Sequence, residues 1–147
     1  MRKIMLIAIA LVVMPTGPAQ ENNEREAVKQ TVLDYVEGIY EVAPSRIERS
    51  VHPDLAKRGF YRRQTDAPYE TAAMTFQQLV NLAKNYNKEG KIPKDAPKEV
   101  IIYEVLDQTA TAKLVAEWGI DYLHLAKYNG KWMIVNVLWQ IHPPGKK

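Results

Sequence analysis

Apolar residues in the first third of the chain recur every three or four positions. From about Asn22 to Val42 this spacing predicts an amphipathic helix. Pro44 is predicted to end that helix, and Ser45 to cap a short second helix that runs to about Val51 and stops before Pro53. The apolar stripe of the first helix consists of Ala27, Val28, Thr31, Val32, Tyr35, Val36, Ile39 and Tyr40.

The middle of the chain predicts a short strand and a third helix. Residues 60–63, Phe-Tyr-Arg-Arg, indicate the strand. Thr75 and Gln78 have the spacing of a capping box, in which Thr75 is the N-cap and the Gln78 side chain reaches back to its backbone. The helix that they open is predicted to run to about Asn87, and a loop rich in Lys, Gly and Pro follows it.

From Lys98 onward the apolar residues alternate with polar ones, which predicts β-strands. Val100–Leu106 and Thr109–Trp118 are predicted strands joined by the two-residue loop Asp107-Gln108. This loop length brings apolar residues together on one face of the hairpin and polar residues on the other. The predicted pairs on the apolar face are Val105 with Ala110, Tyr103 with Ala112, and Ile101 with Leu114.

The last predicted hairpin turns at Asn129-Gly130, the preferred dipeptide of a type I′ turn. This turn places Asp121 and Asn136 on one largely apolar face, and a bulge at Gly119 would keep Trp118 on that face. The opposite face is nearly as apolar, so we expect helices to cover one face and a second copy of the chain to cover the other. The predicted pairs are Lys127 with Trp132, Leu125 with Ile134, Leu123 with Asn136, and Asp121 with Leu138.

The N-terminus has the pattern of a secretory signal peptide. Arg2 and Lys3 precede the apolar run Ile4–Met14, and Gly17-Pro18-Ala19 puts small residues before a cleavage site. The run has 11 residues, fewer than the roughly 20 that span a bilayer. We therefore expect residues 1–19 to be a signal peptide, residues 20–147 to be a single domain, and the location to be secreted or periplasmic.

Charge and cysteine content narrow the functional classes. Without Arg2 and Lys3 the 20 basic residues fall to 18, against 17 acidic residues, which is a net charge of +1. This balance, with no long run of like charge, argues against nucleic acid or an anionic membrane as a partner. The chain has no cysteine, so an exported form is stabilised by its hydrophobic core rather than by disulfides.

Helices followed by four antiparallel strands predict an α+β fold, and the ordered motifs resemble the nuclear transport factor 2-like superfamily. The closest resemblance is to its SnoaL-like branch called "putative lumazine-binding", over residues 25–141. The resemblance implies a cystatin-like, cone-shaped domain in which a curved antiparallel sheet wraps around N-terminal helices and leaves a pocket at its open end. The motifs that carry it are residues 32–38 (VLDYVEG), 51–55 (VHPDL), 109–115 (TATAKLV), 121–125 (DYLHL) and 129–136 (NGKWMIVN).

The resemblance also implies candidate catalytic residues. Ketosteroid isomerases, scytalone dehydratases and limonene epoxide hydrolases, which share this fold, have an Asp or His in the pocket, which implies a catalytic Asp121. His52 could exchange protons with it, since its pKa ordinarily lies near neutrality. Equally, Asp121 could bind backbone N–H groups at a strand end, and His52 could fix a turn. The three histidines have no metal-ligand spacing, so we expect no metal, and no cofactor motif is found.

Several side chains are candidates for binding a ligand. The aromatic candidates would line an apolar pocket or simply pack in the core, and Asn136 would need a hydrogen-bond partner if it is buried. The candidate ligand-binding residues are Tyr35, Tyr61, Tyr103, Trp118, Trp132 and Asn136.

Three functional hypotheses remain open at this point. The first is an exported domain that binds a small apolar or aromatic molecule. The second is an isomerase, dehydratase or hydrolase that uses Asp121. The third is a non-catalytic module that forms a homodimer through its sheet, which is compatible with either of the others.

Overall fold

The computed structural model describes residues 17–145, which form three helices and one six-stranded sheet. The expected signal peptide therefore lies largely outside the described residues. The helices are α1 (Pro18–Tyr40), α2 (Pro44–Ser50) and α3 (Phe76–Asn85). The strands are β1 (Val51–Tyr61), β2 (Glu70–Met74), β3 (Lys98–Val105), β4 (Thr109–Ala116), β5 (Gly119–Tyr128) and β6 (Lys131–Ile141).

The sheet is curved and open, with the strand order β2-β1-β6-β5-β4-β3. This arrangement confirms the predicted α+β, cone-like fold. The sheet is mixed rather than wholly antiparallel, because β1 and β6 are parallel neighbours. A long connection through β2, α3 and the strands after them separates these two neighbours in the chain, as parallel pairing requires.

The helix ends follow the prolines and the predicted capping box. The helix α2 begins at Pro44, and no side chain caps it, so the prediction that Ser45 is its N-cap is wrong. Proline fits the first helical turn because an N–H there has no intrahelical partner. The capping box at α3 is confirmed, since Thr75 Oγ1 accepts from the Gln78 backbone and Gln78 Oε1 accepts from the Thr75 backbone.

Strand β1 is much longer than the predicted strand at residues 60–63. It begins directly after α2 and includes Pro53, which lies where the pairing with β6 is interrupted between Val51 and Ala56. An interrupted ladder tolerates a residue without an N–H group. Its inward side chains include Lys57, and a lysine at an inward position obscures the apolar alternation by which a strand is predicted. Strand β2 is not predicted from the sequence either.

Two irregularities shift the predicted strand registers. Val105 pairs with Ala110 as predicted, but beyond a bulge Ile102, not Tyr103, pairs with Ala112. Tyr103 is consequently 56% exposed. Tyr103 is therefore not on the buried face, because a one-residue slip exchanges the two faces of a strand.

The last hairpin has a similar bulge. Leu125 pairs with Ile134 as predicted, after which the register shifts by one residue. Asp121 therefore pairs with Trp139 rather than Leu138, and Asn136 pairs with His124 rather than Leu123. The prediction that Asp121 and Asn136 share a face is wrong for this reason.

The core lies between α1 and the concave face of the sheet. Most of the predicted apolar stripe of α1 is buried against side chains of β4, β5 and β6, whereas Ala27 is exposed and Thr31 and Tyr40 are partly exposed. Its fully buried members are Val28, Val32, Tyr35, Val36 and Ile39, and the facing sheet residues include Ala112, Leu114, Leu123, Leu125, Ile134 and Val137.

Candidate functional site

Asp121 lies near the start of β5 and points toward the helices, which decides between the two faces that the sequence left open. Its residue is 0% exposed. Tyr35 on α1 donates a 2.8 Å hydrogen bond to Oδ2, and the indole N–H of Trp118 donates a 2.9 Å hydrogen bond to Oδ1. Asp121 is therefore hydrogen-bonded by two side chains, and not by backbone N–H groups as in the alternative prediction.

Lys57 also belongs to this cluster. It lies on β1 beside Val137 of β6 and is only 7% exposed. Its Nζ donates a 2.7 Å hydrogen bond to the Tyr35 hydroxyl oxygen and lies 3.7 Å from Asp121 Oδ2. The Tyr35 hydroxyl therefore accepts from the lysine and donates to the carboxylate, so it links the two charges.

Aromatic rings enclose the Lys57 ammonium group. Its Nζ lies 5.4 Å from the centre of the Tyr35 ring and 5.5 Å from that of Trp139, within the range of cation–π attraction. Gly59 makes room for the indole, since a Cβ at that position would lie 2.5 Å from the Cδ1 and Cδ2 atoms of Trp139. The absence of a side chain at Gly59 therefore permits the close packing of Trp139 beside Lys57.

Three further aromatic contacts converge on Trp118 in the turn between β4 and β5. The rings of Tyr35, Tyr40 and Tyr86 approach it edge-on, at 6.2, 5.6 and 6.0 Å between centroids. Such edge-to-face pairs are the preferred geometry of aromatic rings. We call Tyr40, Tyr86 and Trp118 the aromatic rim, because they are partly exposed above the buried Asp121.

The Tyr40 hydroxyl holds the aromatic rim in place. It donates a 2.6 Å hydrogen bond to the carbonyl of Pro97 and accepts a 2.7 Å hydrogen bond from the backbone N–H of Glu117. One hydroxyl thus joins the end of α1, the segment that precedes β3 and the turn that carries Trp118.

Burial determines the protonation of the site. It lowers the pKa of Lys57, while the nearby Asp121 opposes that change. Burial raises the pKa of Tyr35 well above its ordinary value, and the charge of Asp121 adds to the rise. Burial also raises the pKa of Tyr40 to about 12. Both tyrosines are therefore neutral hydroxyls that can donate hydrogen bonds at neutral pH.

His52 and Trp132 lie at the opposite end of the sheet from Asp121. The His52 ring stacks on Tyr128, with 4.4 Å between centroids, and its Nδ1 accepts from the Asp54 backbone at 3.1 Å. Asp121 and Tyr128 are seven residues apart on β5, about 23 Å along a strand. The predicted proton exchange between His52 and Asp121 is therefore excluded by distance, and His52 has the turn-fixing role given as its alternative.

The remaining predicted ligand residues are not in contact with Asp121. Asn136 is on the outer face, where its Nδ2 lies 3.2 Å from His124 Nδ1. The Tyr61 hydroxyl donates to Glu70 at 2.9 Å, and Tyr103 is exposed at the bulge in β3. Of the predicted ligand residues, Tyr35 and Trp118 are the two that contact Asp121.

The sequence analysis does not single out Lys57 as a candidate functional residue. The available signal was the order Leu55, Lys57, Gly59, in which a lysine stands at an inward position of an alternating strand. Recognising it requires knowledge that β1 is a strand, and Pro53 and the charged neighbours argue locally against one.

Two surface cavities are found away from this cluster. One has a volume of about 310 Å³ and lies between α1, α2 and the β5–β6 turn, with Trp132 and Arg49 among its lining residues. The other, of about 260 Å³, lies along residues 85–91 and is lined in part by Tyr86 of the aromatic rim. Neither is lined by Asp121 or Lys57. Among residues 17–145 no group of three or more His, Asp or Glu side chains could hold a metal, and no helix there is long and apolar enough to cross a membrane.

Residues 23–140 match the family described as "putative lumazine-binding". The chain belongs to this family. The resemblance inferred from the sequence is thereby confirmed, and the match includes every residue of the Lys57–Tyr35–Asp121 cluster and the aromatic rim. No curated protein matches the chain.

Solved structures similar to this chain include proteins described as nuclear transport factor 2-like (NTF2-like). One is an NTF2-like protein of unknown function from Silicibacter pomeroyi DSS-3, with 16% identity, a TM-score of 0.65, and coverage of 83% of this chain and 98% of the other. Another is from Shewanella baltica OS155, with 18% identity, a TM-score of 0.64, and coverage of 88% and 99%. A protein described as a "putative scytalone dehydratase" from Novosphingobium aromaticivorans DSM 12444 has 12% identity, a TM-score of 0.56, and coverage of 86% and 97%. At these identities the likeness establishes the fold alone.

Proposed function

We propose that this protein binds a small planar apolar or aromatic molecule at the aromatic rim, above Asp121. The main observation in support of this proposal is the buried Lys57–Tyr35–Asp121 cluster. An apolar group of similar volume would often stabilise a core as well as a buried ion pair does. Buried titratable groups with perturbed pKa values are concentrated at functional sites, and family membership supports a small molecule as the ligand.

The aromatic rim supports a flat ligand in particular. Its rings surround one end of the cone, and Tyr86 is 43% exposed there although its hydroxyl has a pKa raised by burial. Rings that already meet edge-on can accept another ring by stacking or by a further edge contact. Binding requires the rim side chains to admit the ligand, since the cluster below them is closed.

Calorimetric titration of the domain with lumazine, and with naphthalene derivatives as a second planar class, tests this proposal. We expect binding that Tyr86→Ala weakens by roughly two- to tenfold, the effect of losing one aromatic pair. Tyr103→Ala is the matched control, because Tyr103 is equally aromatic and exposed but lies outside the rim. The proposal fails if no planar compound binds, or if the two variants weaken binding equally.

The geometry favours binding over the enzymatic alternative. Both oxygens of Asp121 accept hydrogen bonds from protein side chains, and His52 is too far away to exchange protons with it. A general base must come within hydrogen-bond reach of the substrate proton, and these two hydrogen bonds compete with a substrate for the carboxylate. The Asp121→Asn variant is also no clean test of turnover, because it leaves the buried Lys57 without its counter-charge.

We further propose that the protein forms a homodimer through the outer face of its sheet. Tyr122 on β5 and Leu138 on β6 are paired neighbours, and Phe60 on β1 lies two residues from the partner of Leu138; all three are exposed. Contiguous exposed apolar side chains are typical of an interface.

Sedimentation of two matched variants tests the dimer. We expect Leu138→Lys to give a monomer and Leu106→Lys, at an equally exposed leucine near the β3–β4 turn, to leave the dimer intact. A wild-type protein that stays monomeric at all concentrations would contradict the proposal.

We also propose that the protein is exported and cleaved after Ala19. The motivation is the charged and apolar pattern of residues 1–14. Expression of the full chain in a bacterium, followed by intact mass measurement, should give a product beginning at Gln20 in the periplasm or the medium. An uncleaved product retained in the cytoplasm would argue against it.

A further inference from the structure

The Lys57 ammonium group has more hydrogen-bond donors than acceptors around it. An ammonium carries three N–H donors. Within residues 17–145 the Tyr35 hydroxyl is its one hydrogen-bond partner, at 2.7 Å, because Asp121 Oδ2 at 3.7 Å is beyond that range. A buried donor without an acceptor is unfavourable, so an incoming acceptor at this point would be stabilised.

The charge of Lys57 is already balanced. Asp121 is close enough to offset it electrostatically, so the pair presents no net charge to a ligand. A ligand carboxylate would lose its hydration and would also lie near the Asp121 carboxylate, two unfavourable effects. A neutral carbonyl oxygen would accept the hydrogen bond without adding a charge.

The rings around Lys57 restrict the shape of the group that carries this oxygen. Tyr35 and Trp139 both lie about 5.5 Å from Nζ, and the aromatic rim lies on the Trp118 side of the same cluster. A flat group is the shape that packs best against such ring faces, with its oxygen on its edge toward the ammonium.

We propose that Lys57 is the polar anchor of the ligand site and selects planar ligands with a neutral carbonyl oxygen over those with a carboxylate or with no acceptor. This inference rests on the proposed function, because it uses the same site.

Three matched compounds test the selection: 2-acetylnaphthalene, 2-ethylnaphthalene and 2-naphthoate, titrated against the wild-type domain by calorimetry or ligand-observed NMR. We expect the acetyl compound to bind at least about tenfold more tightly than the ethyl compound, as for a hydrogen bond to a charged donor. We expect the naphthoate to bind more weakly than the acetyl compound. Equal affinities, or naphthoate binding best, would overturn the selection and leave the proposed binding intact, whereas no binding by any of the three would overturn both.

A paired variant links the selection to Lys57 without leaving a lone buried charge. In Lys57→Met/Asp121→Asn the two charges are removed together, so the fold is expected to survive. The acetyl-to-ethyl affinity ratio should fall to about one. The control Lys127→Met/Glu24→Gln removes a lysine–carboxylate pair at the other end of the sheet and should keep the wild-type ratio. An unchanged ratio in the first variant would overturn the role of Lys57. If that variant does not fold, the ratio is measured in Lys57→Met alone, where Asp121 keeps its hydrogen bonds from Tyr35 and Trp118 and a preserved preference would likewise overturn that role.

Discussion

Two clusters of the same composition lie at opposite ends of strand β5, each with a tryptophan, a carboxylate and a lysine. In the first, the Trp118 indole N–H donates to Asp121 at 2.9 Å, and Lys57 lies 3.7 Å from the same carboxylate. Both charged side chains are almost wholly buried. The carboxylate and the lysine are bridged by a tyrosine hydroxyl rather than by a direct hydrogen bond.

In the second cluster the Trp132 indole N–H donates to Glu24 at 2.7 Å, and Lys127 lies 2.6 Å from the same oxygen. Lys127 also lies over the Trp132 ring, at 4.8 Å. The Glu24 side chain is 31% exposed, so water reaches the pair.

The comparison shows that the same three groups behave differently when they are buried and when they are exposed to water. At the Glu24 end, water satisfies the remaining donors and screens the charges, so the cluster mainly fastens the start of α1 to the last hairpin. At the Asp121 end both charged side chains are buried, and we propose that a ligand admitted by the aromatic rim accepts from the surplus donors of Lys57. The following variants separate the two ends, from the largest expected effect to the smallest.

Neutralising the carboxylate should have unequal effects at the two ends. Asp121→Asn leaves Lys57 buried without a counter-charge and should lower the free energy of unfolding by about 3–5 kcal/mol. Glu24→Gln should lower it by at most about 1 kcal/mol. Urea unfolding followed by circular dichroism measures both, and similar losses would show that burial does not distinguish the clusters.

Removing the bridging hydroxyl should have the next largest effect. Tyr35→Phe leaves Lys57 Nζ and Asp121 Oδ2 each without a hydrogen-bond partner and should lower the free energy of unfolding by about 1–3 kcal/mol. Tyr103→Phe removes an exposed hydroxyl and should be close to neutral. If both changes are neutral in thermal and urea unfolding, the bridge contributes nothing to stability.

Alkaline pH should destabilise the Asp121 end. The pKa of Tyr40 is about 12 in the folded protein, above its ordinary 10.0. Its contribution is therefore complete below pH 10 and is lost as the pH rises toward 12, because the unfolded chain releases this proton first. The raised pKa values of Tyr35 and Tyr86 act in the same direction, and the lowered pKa of Lys57 opposes them.

Tyr40→Phe should accordingly flatten the loss of stability between pH 10 and 12, relative to wild type and to Tyr103→Phe. The midpoint of urea unfolding measured across that range is the readout. A slope that Tyr40→Phe leaves unchanged would contradict the assignment to Tyr40.

Salt should give the smallest effect and should act at the exposed end alone. Raising sodium chloride from about 0.05 to about 1 M shortens the Debye length to about 3 Å and should remove most of the difference between wild type and Glu24→Gln. The difference between wild type and Asp121→Asn should persist, since buried pairs are screened little. Unfolding at both salt concentrations measures this, and a salt-sensitive Asp121 effect would mean that water enters the cluster.

The parts of this fold that were predicted correctly depend on local patterns. The apolar stripe of α1, the capping box at Thr75 and the Asn129-Gly130 turn each involve residues within one or two helical turns or one hairpin. The pairing nearest each hairpin turn was also correct, at Val105 with Ala110 and at Leu125 with Ile134. Family membership followed from the order of such motifs.

The predictions that are wrong concern features that are determined by contacts between distant parts of the chain. Bulges in β3 and β6 place Tyr103 and Asn136 on the faces opposite to those predicted. No residue type in either strand indicates that a bulge is present. The sequence does not indicate that β1 lies beside β6, and that pairing alone brings Lys57 within reach of Asp121.

By itself, the sequence determined the class of fold, the family resemblance and the alternation that places Asp121 among apolar residues, because periodicity and turn chemistry act over a few residues. The tertiary structure decided which groups meet that carboxylate. Tyr35, Lys57 and Trp118 come from a helix, a strand and a turn far apart in the chain, and their meeting depends on strand order and register, which are set by packing across the whole sheet.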